Sequence, residues 1–130
     1  MPLHNHLLVN GYTNTPIDHE GLIIAWMNDL VEEIGMKVVK GPFAQYVEAE
    51  GNRGLTATVM IETSHIAIHI WDEPSPAFIQ FDLYTCSTLP VQRVLDNLEK
   101  HLGLFNYQSL VIERSSGFNL IDPERWKELG

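Results

Sequence analysis

Three consecutive runs of strictly alternating residues most limit what this chain can fold into. In residues 55–62 the apolar Leu55, Ala57, Val59 and Ile61 alternate with Thr56, Thr58, Met60 and Glu62. Residues 65–71 set Ile66, Ile68 and Ile70 on one side. Residues 78–86 set Ile79, Phe81 and Leu83 against Gln80, Asp82, Tyr84 and Cys86. A period of two belongs to strands, whose successive side chains point to opposite faces, so each run reads as a strand with one face buried. Residues 4–11 add a first strand with Leu7 and Val9 together. Residues 36–39 and 43–48 read as short strands on either side of Gly41-Pro42, and residues 107–113 as the last strand. Two segments carry helical spacing instead. Residues 18–35 bring Leu22, Ile23, Trp26, Met27, Leu30, Val31 and Ile34 to one side, with Gly35 as the stop. A second helix opens at Pro90 and turns Val91, Val94, Leu95, Leu98 and Leu102 inward before Gly103. The expected fold is an α+β two-layer sandwich, a mostly antiparallel sheet with both helices on one face. Its other face would carry Thr56, His65, His69 and Cys86.

At 130 residues the chain is expected to form one domain, 1–130, around one core. No apolar run approaches the roughly 20 residues that span a bilayer. The start of the chain lacks the basic and apolar regions of a secretory signal. A lone cysteine, Cys86, excludes an internal disulfide framework and suits a reducing cytoplasm. The net charge of −9 repels phosphate backbones, so neither nucleic acid nor a membrane is an expected partner. The same acidity mildly favours cationic ligands.

The residues that could do chemistry are few. His4 and His6 alternate on one strand, His65 and His69 on another, and Cys86 lies on a third. No three of them are spaced as a zinc set, so no metal is expected, and His4 and His6 read as hydrogen-bonded structural residues. Ser64 lies outside any GxSxG elbow, and no GxGxxG or P-loop is present. None of the four lysines lies in an apolar setting that suits a Schiff base, so pyridoxal phosphate is not expected either. Trp71 reads as core packing.

The stretch "ETSHIAIHIWDE", preceded by "GLTATVMI" and followed by "YTC", resembles the short prokaryotic S-adenosylmethionine decarboxylase proenzymes. That family carries a Glu-Ser-His-hydrophobic-x-Ile-His-Thr-Trp-Pro-Glu segment and an Asp-hydrophobic-aromatic-Thr-Cys segment. "NHLLVNGY" resembles the family's opening Gly-Arg-His-Leu-hydrophobic strand, and "FAQYVEAEGNRGLTA" its Phe-x-x-Phe…Gly-Val-Ser-Gly stretch. The likeness covers residues 4–114. It implies that Ser64 attacks the carbonyl of Thr63, and that elimination and hydrolysis then cut the chain between them, leaving a pyruvoyl cofactor at the new N-terminus. It assigns His69 to the elimination, Thr56 as the helper hydroxyl and Cys86 as the proton donor. Glu73 falls on the residue that holds ribose hydroxyls, and Tyr46, or else Phe43, on the aromatic that stacks on adenine. A pyruvoyl carbonyl withdraws electrons as pyridoxal does, so neither metal nor lysine is needed. The implied activity is decarboxylation of S-adenosylmethionine for polyamine (spermidine) synthesis by a cytoplasmic homodimer whose sites draw on both chains.

The sequence also departs from the pattern. Thr63 replaces the family's glutamate before the serine, Ile70-Trp71-Asp72-Glu73 replaces Thr-Trp-Pro-Glu, and the loops around 48–54 and 71–78 are longer. Two alternatives therefore stand beside the main reading: a decarboxylase of a small basic amino acid such as arginine or ornithine, and an uncleaved, non-catalytic ligand-binding homologue. One geometric condition is attached. Ser64 and His69, five positions apart, face opposite sides of an unbroken strand. A turn or bulge near Thr63 and Ser64 is expected to reconcile them.

Overall fold

The computed structural model describes residues 3–127, with the side chains of 122–126 left outside the description. In chain order the elements are β1 (Asn5–Thr13), α1 (Glu20–Glu33), β2 (Val38–Val47), β3 (Gly54–Ile61), β4 (Ser64–Trp71), β5 (Ala77–Thr85), α2 (Val91–Leu102), β6 (Phe105–Glu113) and β7 (Asn119–Lys127). The strands form one sheet in the order β2-β3-β4-β5-β1-β6-β7, antiparallel at every junction. Both helices lie on one face, giving the α+β sandwich the alternation predicts. No helix among the described residues is long and apolar enough to cross a membrane.

The core is the meeting of the helix stripes with the odd or even set of each strand. Leu7 and Val9 of β1, Ala57 and Val59 of β3, Ile66 and Ile68 of β4, and Ile79 and Leu83 of β5 are buried with Ile23, Met27 and Leu30 of α1 and Val94, Leu95 and Leu98 of α2. Full burial of one such large aliphatic side chain stabilises the fold by about 1.5–3 kcal/mol. A polar link ties the helices across this core. The Trp26 Nε1–H donates to Asn97 Oδ1 at 2.9 Å, and Asn97 Nδ2 donates to Glu33 Oε2 at 2.6 Å.

Four expectations change. The two short strands around Gly41-Pro42 are one strand, β2, because register shifts between Val38 and Lys40 and between Lys40 and Phe43 absorb the break. Leu22 is exposed rather than inward: His19 caps α1, its Nδ1 accepting the Leu22 N–H, and Leu22 lies in the first turn, off the buried stripe. Trp71 is not in the core. It lies with His65, Ala67 and His69 on the open face, stacks on Phe78 at 5.7 Å and donates to Asn52 Oδ1. Finally, β6 is followed by β7, an edge strand with a proline and no clean alternation, which hides it from a periodicity reading.

Asn97→Ala removes the partner of a buried indole N–H and breaks the helix link. The expected loss is about 2 kcal/mol, read as a lower urea midpoint with an unchanged slope.

Candidate active site

β3 and β4 are joined by a two-residue turn, Glu62 and Thr63, with Ile61 opposite Ser64. Thr63 takes φ 52°. That left-handed position favours glycine or asparagine, and for a β-branched residue it is an outlier. The turn exposes the bond between Thr63 and Ser64 at one end of the sheet. Beside it lies Cys86, one residue past β5. Its backbone N–H donates to Ser64 Oγ at 3.2 Å, Ser64 Oγ lies 3.9 Å from its Sγ, and Thr63 Oγ1 lies 2.8 Å from the same sulfur. The single Thr63 hydroxyl proton is shared between that sulfur and the neighbouring carbonyl, Glu62 O, at 2.7 Å. The hydroxyls of Thr63 and then Ser64 stabilise the thiolate and hold the Cys86 thiol below the ordinary value of 9.0, against the opposing effect of burial. A cleft of ≈ 400 Å³ opens here, with Lys37, Glu62, Thr63, Ser64, Thr85 and Cys86 in its wall.

Thr56 and His69 are Cα partners on the open face, and Thr56 Oγ1 is 2.9 Å from His69 Nδ1. This pair is not beside Ser64. The ladder from Ser64 to Trp71 runs without a bulge, so the turn precedes Ser64 and leaves the opposed facing intact. At about 3.3 Å per residue, roughly 16 Å of strand separates Ser64 from His69. The expected reconciliation within one chain is therefore absent. The residues divide into two half-sites, Thr63, Ser64 and Cys86 at one end and Thr56 and His69 towards the other.

Beyond His69 the two long loops are fastened together. Arg53 Nε donates to Asp72 Oδ1 and Arg53 Nη2 to Asp72 O, each at 2.8 Å, while Tyr46 Oη donates to Asp72 Oδ2 at 2.7 Å. Burial acts to raise the Asp72 pKa, but the Arg53 and Tyr46 hydrogen bonds outweigh it and hold the carboxyl below its usual range. Glu73 accepts the Arg53 N–H at 2.8 Å on one oxygen and the Gly51 N–H at 3.2 Å on the other, and these lower its pKa. Tyr46 packs against the core, whereas Phe43 is 58% exposed and shares the open face with Thr56. Sequence reading missed this clamp. The added loop lengths were its only visible sign.

A second unforeseen cluster crosses the open face. Asp82 Oδ2 meets His6 Nε2 at 2.7 Å and His65 Nε2 at 3.3 Å. Burial pushes the Asp82 pKa up, and the His6 contact overcomes it, leaving the carboxyl below its usual range. These three could geometrically face one ion. Arg114 Nη1, however, lies 3.1 Å from His6 Nδ1. A guanidinium only donates, so Nδ1 carries the lone pair and Nε2 the proton, directed at Asp82. That tautomer makes a hydrogen-bonded network and blocks His6 as a metal ligand. His4 is likewise hydrogen-bonded, its Nδ1 2.7 Å from Tyr84 Oη.

A profile of the S-adenosylmethionine decarboxylase family matches residues 5–115. S-adenosylmethionine decarboxylase proenzymes of Clostridium botulinum strains Hall and Langeland are each 29% identical to it over 84 residues, 63% of this chain and 67% of theirs. With the match running from the first strand past the end of β6, the chain belongs to the S-adenosylmethionine decarboxylase family.

Proposed function

We propose that this chain is a single-domain proenzyme that cuts itself between Thr63 and Ser64 and then decarboxylates S-adenosylmethionine. The observation that carries this is a serine placed directly after a left-handed, β-branched residue in a tight turn, with a thiol against both hydroxyls. The left-handed conformation costs roughly 1–2 kcal/mol, which is released when the bond breaks. Ser64 Oγ adds to the Thr63 carbonyl carbon and the C–N bond gives way to an ester. Loss of the Ser64 Cα proton expels the Thr63 carboxylate, and hydrolysis then releases the nitrogen as ammonia. The pyruvoyl group so formed supplies a carbonyl that condenses with an α-amine and draws electrons from the bond to the carboxylate. Cys86, whose thiol is already polarised, returns a proton to the substrate's Cα. Glu73 and Phe43 or Tyr46 hold the nucleoside.

His69 and Thr56 are too far from Ser64 to assist within one chain, so we assign their role to a second copy. A homodimer is supported by the open face, where Leu8, Tyr12, Phe43 and Met60 are exposed apolar side chains without a covering layer. The lone cysteine supports a cytoplasmic setting, and the product fits polyamine synthesis.

A second reading is favoured by one observation. Both Glu73 oxygens already accept loop N–H groups, and Tyr46 is turned to Asp72 and the core. The groups assigned to ribose and adenine are thus partly committed within the protein, which favours a small basic amino acid lacking a nucleoside.

Four measurements test the proposal. Denaturing mass spectrometry of fresh protein is expected to give fragments 1–63 and 64–130, the latter without a free amine, and Ser64→Ala only the uncut chain. Carboxyl-labelled S-adenosylmethionine, arginine and ornithine then decide the substrate by CO2 release; an uncut wild-type chain that persists on incubation sinks the proposal. Co-expressing Ser64→Ala with His69→Ala tests the shared site: neither cuts alone, and the mixture is expected to regain cleavage of the His69→Ala chains only. The thiol is tested on uncut protein. Because its pKa is lowered, Cys86 forms thiolate at lower pH than an ordinary cysteine. In the uncut Ser64→Ala protein, adding Thr63→Val is expected to move the midpoint of its pH-dependent alkylation upward.

A further inference from the structure

Four adjacent strands change character at the same end of the sheet. On the helix-facing side β4 runs from Ile66 to Ser64, β5 from Leu83 to Thr85, β1 from Leu7 to Asn5 and β6 from Val111 to Glu113. Asn5 is the Cα partner of both Thr85 and Glu113, and Ser64 stands in line with them one strand beyond Thr85. Three members of this polar row are satisfied within the protein. Ser64 Oγ accepts the Cys86 N–H, Thr85 Oγ1 accepts the Ser87 N–H, and Glu113 Oε1 accepts the N–H groups of His4 and Ser115. The exception is Asn5. Its Oδ1 is shielded from solvent and has no hydrogen-bond partner among the described residues. An acceptor left in that state costs about 1–3 kcal/mol, and Asn5 itself lines a cleft of ≈ 490 Å³ shared with Cys86, Ser87 and Thr88, into which rotation of its carboxamide would turn Oδ1.

We infer that Asn5 is a specificity-determining residue that receives a positively charged group on the side chain of the amino-acid substrate. This deepens the decarboxylase reading and rests on it for the position of the reacting end. Asn5 lies two strands from Ser64, roughly 10 Å at strand spacing. It is too far to touch an α-amine condensed at Ser64, and at the distance an extended basic side chain covers with the carboxamide's own reach. The charge balance agrees. Glu113 neighbours Asn5, and the Ser115 hydroxyl and N–H keep its carboxyl below the usual range and so ionised. Asn5 also stands where the family's Gly-Arg-His-Leu pattern has arginine, so a repelling cation is replaced by an acceptor. The shared ligand chemistry is an α-amino acid with a second positive charge. An ammonium or guanidinium brings N–H donors that satisfy Oδ1; a sulfonium brings charge alone and sits closer to its Cα.

The test is a calorimetric titration of the uncut Ser64→Ala protein, so that binding is read without turnover. The probes are L-ornithine, L-arginine, S-adenosylmethionine and uncharged L-norleucine. At least one cation is expected to bind, and adding Asn5→Leu should weaken it tenfold or more, with Asn5→Asp restoring it to within threefold. Norleucine should be indifferent to either change. The ligand-free Asn5→Leu protein is expected to melt at or above its parent, because an unsatisfied acceptor is gone. Which cation responds identifies its source. Binding of no cation, or equal binding with and without Asn5→Leu, overturns the inference. If the wild-type chain neither cuts nor releases CO2 while Asn5 still governs binding, the decarboxylase reading fails and Asn5 stands as a cation-binding residue of a non-catalytic site.

Discussion

The two-residue turn between β3 and β4 is the constraint on which the rest depends. Side chains alternate with a period of two, so sliding either strand by one residue would carry its whole apolar set from the core to solvent. With Ile61 opposite Ser64, the isoleucines of β4 meet the helices, and Thr56 falls opposite His69 on the open face. The same register puts the strained Thr63 at the tip and Ser64 at the first paired position. The turn also prevents one chain from bringing Ser64 and His69 together. Fold, strain and division of the site all follow from one pairing.

The sequence makes some of this legible and hides the rest for definite reasons. Alternation along 55–62, 65–71 and 78–86 records which residues face the core, because burial acts on each strand separately. The caps are local too: Gly35 and Gly103 both adopt positive φ at the helix ends where the periodicity stops. Register between strands is a tertiary property. Hence His6, Asp82 and His65, on three different strands, give no sign that they share one contact. Trp71 misleads because a large aromatic is usually buried, yet it sits at the open-face end of an alternating strand. Arg53, Asp72 and Glu73 form a clamp only after two loops fold towards each other, and nothing in their spacing foretells it. The family resemblance carries the residues of the candidate site by position, but not their separation into two groups.

That separation gives meaning to the charge pattern. At the Ser64 end Lys37 lies in the wall of the Ser64 cleft, while the row towards Asn5 holds hydroxyls, a carboxamide and the ionised Glu113, a setting hospitable to a cation on the Asn5 side. At the other end, Asp72 is paired with Arg53 and both Glu73 oxygens accept backbone N–H groups, so its acceptors are already engaged within the protein. A cationic ligand at the Ser64 end would meet one acceptor, Asn5 Oδ1, that has no partner among the described residues. The net charge of −9 adds a long-range attraction that salt would weaken.

The substitution beside the proposed cleavage bond acts in the same local electrostatics. A glutamate at position 63 would set an ionised carboxylate near the Cys86 sulfur, and like charge disfavours the thiolate. Threonine reverses the sign, since its hydroxyl lies 2.8 Å from Sγ and stabilises the ionised form. It also keeps a β-branched side chain in a left-handed turn, a conformation more costly for it than for an unbranched residue. Thr63 thus couples two properties in one residue, a strained peptide bond and an easily ionised thiol beside it. A change at position 63 alters both at once, whereas a change at Ser64 removes one hydroxyl from the sulfur and leaves the strain in place.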